Sequence, residues 1–206
     1  MFTRSITYTG DPARIEDGVA FARDTVAPAL AGLEGTRGMS VLVDRGTGRC
    51  MVNSVWTDER SMHASNAALA PLREKGGEIL GSPADVSEWE IAIMHEVHPV
   101  DVGCGIRVTR LEFDPQDADG LLDTVRSTTI PAAELLPGWC RMTVVLDRTA
   151  GRAMVLSSFR DLPSMQDSRE KVDQIRATSV EKAHARVLSV EEYEVAFYSL
   201  GLEPTG

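Results

Sequence analysis

The sequence predicts an α+β fold of two βαββαβ repeats, each an antiparallel sheet with helices on one face, the two sheets packed against each other within one chain. Three observations predict it: the halves align on each other, each half runs through the same order of periodicities, and the link between them is short. At an offset of 103 residues, positions 4–65 match 107–168 without a gap, with 22 identities in 62 positions. Asp11-Pro12 falls on Asp114-Pro115, Pro28-Ala29 on Pro131-Ala132, Asp44-Arg45 on Asp147-Arg148 and Gly48-Arg49 on Gly151-Arg152. After a slip of one residue, the run from Glu88 to Ala92 lies on that from Glu192 to Ala196. The repeats are residues 1–98 and 104–206, joined by a link of a few residues from His98 to Gly103. The chain is thus expected to be an intrachain pseudo-dimer, with further homo-oligomers open through edge strands.

Each element has its own signal. Phe2 to Thr9 is a short β-rich stretch. Asp11-Pro12 opens a helix, with Asp as N-cap and Pro at the first position. Ile15, Val19, Ala22 and Val26 then recur at helical spacing. Gly35 to Gly38 reads as a loop. Met39 to Val43 is apolar at nearly every position, as in a strand buried on both faces. Asp44 to Gly48 reads as a hairpin turn, and Arg49 to Trp56 as the returning strand. Asp44 and Arg49 read as a cross-strand ion pair, as do Asp147 and Arg152. Asp58 or Ser61 caps a second helix, expected to end at Gly76-Gly77. Ser87 to Glu96 alternates, with Glu88 and Glu90 on one face as charges that blunt an edge strand. The second half repeats this order, with strands at 106–113, 142–146, 152–159 and 189–198 and a second helix at about 161–180.

Composition narrows the function classes. The chain has 206 residues, 21 Lys and Arg against 31 Asp and Glu, and a net charge of −10. A nucleic-acid binder concentrates basic residues on one face, and the arginines here are scattered. Nucleic acid and membrane surfaces are therefore not expected partners. No apolar run approaches the roughly 20 residues of a membrane-spanning helix. The start, Met1-Phe2-Thr3-Arg4, lacks a charged-then-apolar leader, so a cytoplasmic location is expected. Cys50, Cys104 and Cys140 form no close pair and read as small hydrophobes. The four histidines make no metal-ligand spacing, and no phosphate- or dinucleotide-binding glycine motif is present. No cofactor is expected.

The stretch Met51-Val-Asn-Ser-Val-Trp56-Thr-Asp-Glu-Arg-Ser-Met-His63-Ala-Ser65 resembles the dimeric α/β-barrel superfamily. Within it, the match is to the antibiotic-biosynthesis-monooxygenase-like branch, here tandemly duplicated. The resemblance implies ferredoxin-like repeats with a cavity between sheet and helices in each. It also implies either cofactor-independent oxygenation of aromatic molecules or haem binding. In haem-degrading members a His follows the strand Trp by nine or ten residues; here those positions are Ser65 and Asn66, and His63 lies seven residues after Trp56. Haem binding is accordingly the lesser expectation.

Three residues are candidates for a site. Trp56 either walls an aromatic pocket or is a core ring, as Phe159 at the matching position suggests. Asn53, matched by Leu156, either orients a substrate or is a buried amide with partners. A regular strand places Asn53 and Trp56 on opposite faces. His63, matched by Gln166, is either a catalytic base or an exposed helix position. Two functions follow. One is a cofactor-independent monooxygenase acting on a small aromatic or polycyclic substrate through Asn53, Trp56 and His63. The other is a non-catalytic duplicated barrel that binds a small hydrophobic ligand. Because the halves differ at all three positions, at most one working pocket is expected, in the first half or in neither.

Overall fold

A computed structural model of the chain describes residues 1–201. Among the described residues the compact units are 1–90 with 195–201, and 91–194. The last strand of each repeat is therefore divided between units, so the compact units do not end where the sequence repeats do.

In the first repeat, β1 (Phe2–Thr9), β2 (Thr36–Asp44), β3 (Arg49–Trp56) and β4 (Asp85–Glu96) form an antiparallel sheet in the order β2-β3-β1-β4. In the second, β5 (Gly105–Glu112), β6 (Trp139–Asp147), β7 (Arg152–Phe159) and β8 (Arg186–Tyr198) follow the order β6-β7-β5-β8. Across the chain, hydrogen-bonded neighbours run in the closed barrel order β1-β3-β2-β8-β5-β7-β6-β4. The α+β class predicted from two βαββαβ repeats is the class observed.

The helices are likewise doubled. The first repeat carries α1 (Ile15–Phe21), α2 (Ala27–Ala31), α3 (Glu59–Ala64) and α4 (Asn66–Leu80). The second carries α5 (Ala118–Thr124), α6 (Ile130–Ala133), α7 (Leu162–Asp167) and α8 (Arg169–Lys182). Asp11 and Asp114 cap as expected, accepting from the backbone of Ala13 and Gln116. Asp58 rather than Ser61 starts α3, accepting from the Ser61 N–H at 2.8 Å, and Asp161 does the same before α7.

Three local features differ from the sequence reading. Between α1 and α2 the helix widens into a π turn at Ala22–Val26, and the same turn recurs at Val125–Thr129. Pro28 and Pro131 explain it. A proline has no N–H to donate and its ring crowds the carbonyl four residues back, so an inserted residue relieves the clash. The second difference is that α4 runs through Gly76-Gly77 and stops only at Gly81, which takes the left-handed conformation at φ 75°. Gly76 serves close approach instead: a Cβ there would come within 3.0 Å of the Tyr8 hydroxyl. The third is at the hairpins. Asp44 accepts from the Gly46 and Thr47 N–H groups, and Asp147 from Thr149 and Ala150, so these aspartates close the turns. Arg152 pairs with Glu112 across the strands.

Each unit has its own apolar core. That of the first gathers Ile6, Ile15, Leu30, Met39, Trp56 and Met62, and that of the second Leu111, Leu122, Trp139, Met142, Phe159 and Met165. All three cysteines are buried free thiols.

Candidate functional site

Strand alternation sends one face of each sheet toward its helices. In β1 and β3 the register pairs Arg4 with Ser54, Ile6 with Val52 and Tyr8 with Cys50. These six side chains line a cavity roofed by Gly18, Ala22 and Val26, and by Leu69, Leu72 and Arg73 from α4. Its internal space is about 50 Å³. The second repeat builds the same cavity, of about 60 Å³, from Arg107, Thr109, Leu111, Val155 and Ser157 below and Leu121, Val125, Thr129, Val172, Ile175 and Arg176 above. Both halves thus hold a cavity between sheet and helices, as the resemblance implied. The π turns contribute to both roofs through Ala22 and Val26 and through Val125 and Thr129.

A buried arginine locks the end of each cavity. The Arg4 side chain is 0% exposed. Its Nε donates to Glu88 Oε1 at 2.8 Å, its Nη1 to Ser65 Oγ at 2.8 Å and its Nη2 to the Met62 carbonyl at 2.8 Å. Arg107 repeats this with Glu192 at 3.0 Å, Ser168 at 3.1 Å and the Met165 carbonyl at 2.8 Å. Ser65 and Ser168 each donate onward to the same carbonyl, at 2.6 and 2.7 Å. Glu88, read from alternation as an edge-blunting charge, is instead the counter-ion of a buried cation. Burial pushes its carboxyl up, but the Arg4 hydrogen bond and charge, and then His63, hold it below the usual carboxylate range. Glu192 is also held low, first by the Arg169 hydrogen bond and then, against burial, by Arg107.

Tyr8 and Cys50 also line the first cavity. Burial pushes the Tyr8 phenol up to about 12, with Cys50 adding and Arg73 opposing, and burial pushes the Cys50 thiol up to about 12. Both stay protonated at neutral pH. Tyr8 donates to the Arg73 carbonyl at 3.1 Å. The second cavity has Leu111 and Ala153 at these positions, and its polar lining is hydroxyl and guanidinium.

The structure brings none of Asn53, Trp56 and His63 to the cavity wall. Asn53 lies on the opposite face of β3, where its Oδ1 accepts from Ser5 Oγ at 2.7 Å. Trp56 is a fully buried core ring whose Nε1 donates to Ser54 Oγ at 3.1 Å. Asn53 and Trp56 are on opposite faces of an unbulged strand, as alternation requires. His63 is half exposed on α3 and meets Glu88 Oε2 at 2.9 Å, so it touches the arginine lock from outside. The divergence of Trp56 to Phe159 has a structural reason. In the second repeat Trp139, on β6, donates its indole N–H to Ser157 Oγ at 2.9 Å, replacing the donor that Phe159 lacks.

The lock residues were legible as identities that no turn or cap demands. Arg4 matches Arg107, Ser54 matches Ser157 and Ser65 matches Ser168 at the same offset, and Arg73 matches Arg176. Among the described residues, no cluster of three or more His, Cys, Asp and Glu side chains could hold a metal, and no helix is long and apolar enough to cross a membrane.

No family model matches the sequence. Two uncharacterized proteins of Mycobacterium tuberculosis H37Rv are similar to it along nearly its whole length. Rv2557 is 35% identical over 200 residues, covering 97% of this chain and 89% of that protein. Rv2558 is 34% identical over 201 residues, covering 97% and 85%. Among solved structures, an anthrone oxidase-like protein superposes with TM-score 0.69 at 13% identity, covering 99% of this chain and 94% of the other. A monooxygenase-like protein from Listeria innocua gives 0.56 at 9%, covering 97% and 96%. A ferredoxin-fold protein from Listeria monocytogenes, related to antibiotic biosynthesis monooxygenases, gives 0.55 at 9%, covering 96% of both chains. The fold is the dimeric α/β barrel of the antibiotic-biosynthesis-monooxygenase-like proteins, and the chain belongs to the family that includes the mycobacterial Rv2557 and Rv2558.

Proposed function

We propose that the chain is a small-molecule-binding protein that takes ligands into its two helix–sheet cavities. One observation carries this reading: the same cavity is built twice, at equivalent positions, although the side chains that line it have diverged. A core that only needed filling would have closed in one copy. Each cavity combines apolar walls with a few hydrogen-bond donors, the composition of a binding site for a small, largely apolar molecule. Xenon is a suitable first probe, because dry apolar cavities admit it. Under xenon pressure, methyl NMR signals of Leu69 and Leu72 and of Val172 and Ile175 are expected to shift saturably. Filling variants, Ala22→Phe for the first cavity and Val125→Phe for the second, are expected to abolish the shift in their own half. No shift in either half removes the reading.

A second reading is a cofactor-independent monooxygenase acting on an aromatic or polycyclic substrate. It is supported by the likeness of fold to proteins named anthrone oxidase-like and monooxygenase-like. In such chemistry the substrate's own electron-rich anion meets dioxygen, and the protein supplies an apolar pocket and hydrogen-bond donors to hold that anion. At about 50 and 60 Å³ the cavities take only a few atoms, so a polycyclic substrate requires them to open. The measurement is oxygen uptake with a planar polycyclic quinol. Oxygenation through Asn53, Trp56 and His63 predicts loss of uptake in Asn53→Ala, Trp56→Phe and His63→Ala. Uptake that is absent, or indifferent to all three changes, discards it.

A further inference from the structure

The two cavities differ in charge. In the first, Arg73 reaches in from α4. One guanidinium nitrogen, Nη2, donates to Asn66 Oδ1 at 3.0 Å, while Nη1 is buried with no hydrogen-bond partner. No carboxylate lines this cavity, and the neighbouring Arg4 is already neutralised by Glu88. Burial first, and the like charge of Arg4 second, hold the Arg73 guanidinium below its ordinary range. A buried donor left unsatisfied costs free energy, more so when it is charged. The group that relieves it is a carboxylate, which supplies both the acceptor and the opposite charge.

The equivalent Arg176 in the second repeat is placed differently. It is already paired with the Asp173 carboxylate, although its Nη1 is also buried without a partner. The wall around it carries hydroxyls, with Thr129 donating to Ser179 at 2.8 Å. This arrangement asks for an acceptor and not for a charge.

We infer that the first cavity selects a small monocarboxylate, its carboxylate on Arg73 and its alkyl tail against Ile6, Val26 and Leu69, while the second takes an uncharged molecule of similar size. The inference rests on the reading that the cavities bind ligands. The space sets the size. At roughly 10–15 Å³ per water, about 50 Å³ holds about four waters, which is room for a tail of a few carbons.

Butyrate and butyramide have the same shape and differ in charge, so they separate the two cavities on the intact chain. Titration followed by backbone amide NMR is expected to show butyrate shifting Cys50 and Gly76 saturably, with butyramide at least about tenfold weaker there. Butyramide is expected to shift Val172 and Ser179 instead. Arg73→Met is expected to weaken butyrate by about tenfold or more, and Arg176→Met to leave first-cavity affinity unchanged. Equal affinity of the first cavity for the two probes overturns the inference without any variant. So does a folded Arg73→Met chain, confirmed by its melting curve, that keeps wild-type affinity for butyrate. Xenon entry into the first cavity without butyrate binding overturns this inference alone, whereas absence of xenon as well overturns the cavity reading beneath it.

Discussion

The first and second repeats hold the same lock around different walls. Arg4, Ser65 and Glu88 in one, and Arg107, Ser168 and Glu192 in the other, make the same set of contacts. The walls have moved apart: Tyr8, Cys50 and Gly76 in the first face Leu111, Ala153 and Ser179 in the second. The difference teaches which positions the fold constrains. A guanidinium taken wholly out of water, as Arg4 and Arg107 are, loses heavily when its counter-ion goes, so the partners of the lock constrain one another. A wall residue has a looser requirement, because a change of shape at one position is absorbed by the space beside it. Selectivity is therefore expected to reside in the walls, and stability in the locks.

The largest expected effect tests that division. Glu88→Gln and Glu192→Gln each leave a buried arginine without its counter-ion, and each is expected to destabilise the chain by about 3–5 kcal/mol. Chemical denaturation measures it. A loss below about 1 kcal/mol in either half would mean that half holds its arginine by the serine and the backbone carbonyl alone.

The same carboxylates set an acid limb. Both have folded pKa values below the ordinary glutamate range, so each is ionised in the folded chain at pH values where the unfolded chain takes up a proton. Their stabilisation is fully present above the unfolded value of about 4.3 and is lost as pH falls through the folded values. Melting temperature is expected to be flat from neutral pH down to about 5 and to fall below that. In Glu88→Gln the fall is shallower. An unchanged acid limb in both variants would detach the locks from acid sensitivity.

Next in size is the exchange of indoles. Trp56→Phe removes the donor to Ser54, and Trp139→Phe the donor to Ser157, and each is expected to cost about 1–3 kcal/mol. Adding Thr36→Trp to Trp56→Phe copies the second repeat's arrangement into the first, since Thr36 occupies the position of Trp139 in the repeat alignment. Partial recovery of stability is expected. A double variant no more stable than Trp56→Phe would show that the surroundings, and not the donor, fix where the indole sits.

The fold was legible because each signal stands twice in the sequence, at one offset. A hairpin aspartate, an N-cap followed by proline or a glycine turn means little alone, but recurrence at a fixed offset separates signal from accident. The π turns were present as Pro28 and Pro131, yet periodicity has no way to distinguish a widened helix from a regular one. Gly76-Gly77 read as a stop because the sequence does not reveal that Tyr8 lies against it. The site was less legible for a related reason. Asn53, Trp56 and His63 drew attention as unusual residues in a recognisable stretch, and they differ between the halves. The lock was written in identities instead, and Arg4 and Glu88 are 84 residues apart, so their pairing appears only when β1 and β4 come together. Alternation correctly put Asn53 and Trp56 on opposite faces, but not which face held the cavity.

The smallest expected effect concerns the outer partner of each lock. His63 meets Glu88 in the first repeat, and Arg169 meets Glu192 in the second. Both partners are at least half exposed, so water screens them and competes for their hydrogen bonds. His63→Ala and Arg169→Ala are each expected to lower the melting temperature less than either indole exchange, because each removes only a screened surface pair. The inner contacts of Arg4 and Arg107 stay in place in both variants. A melting temperature in either variant as low as that of Glu88→Gln would make the outer partner a member of the lock, and not a contact on its surface.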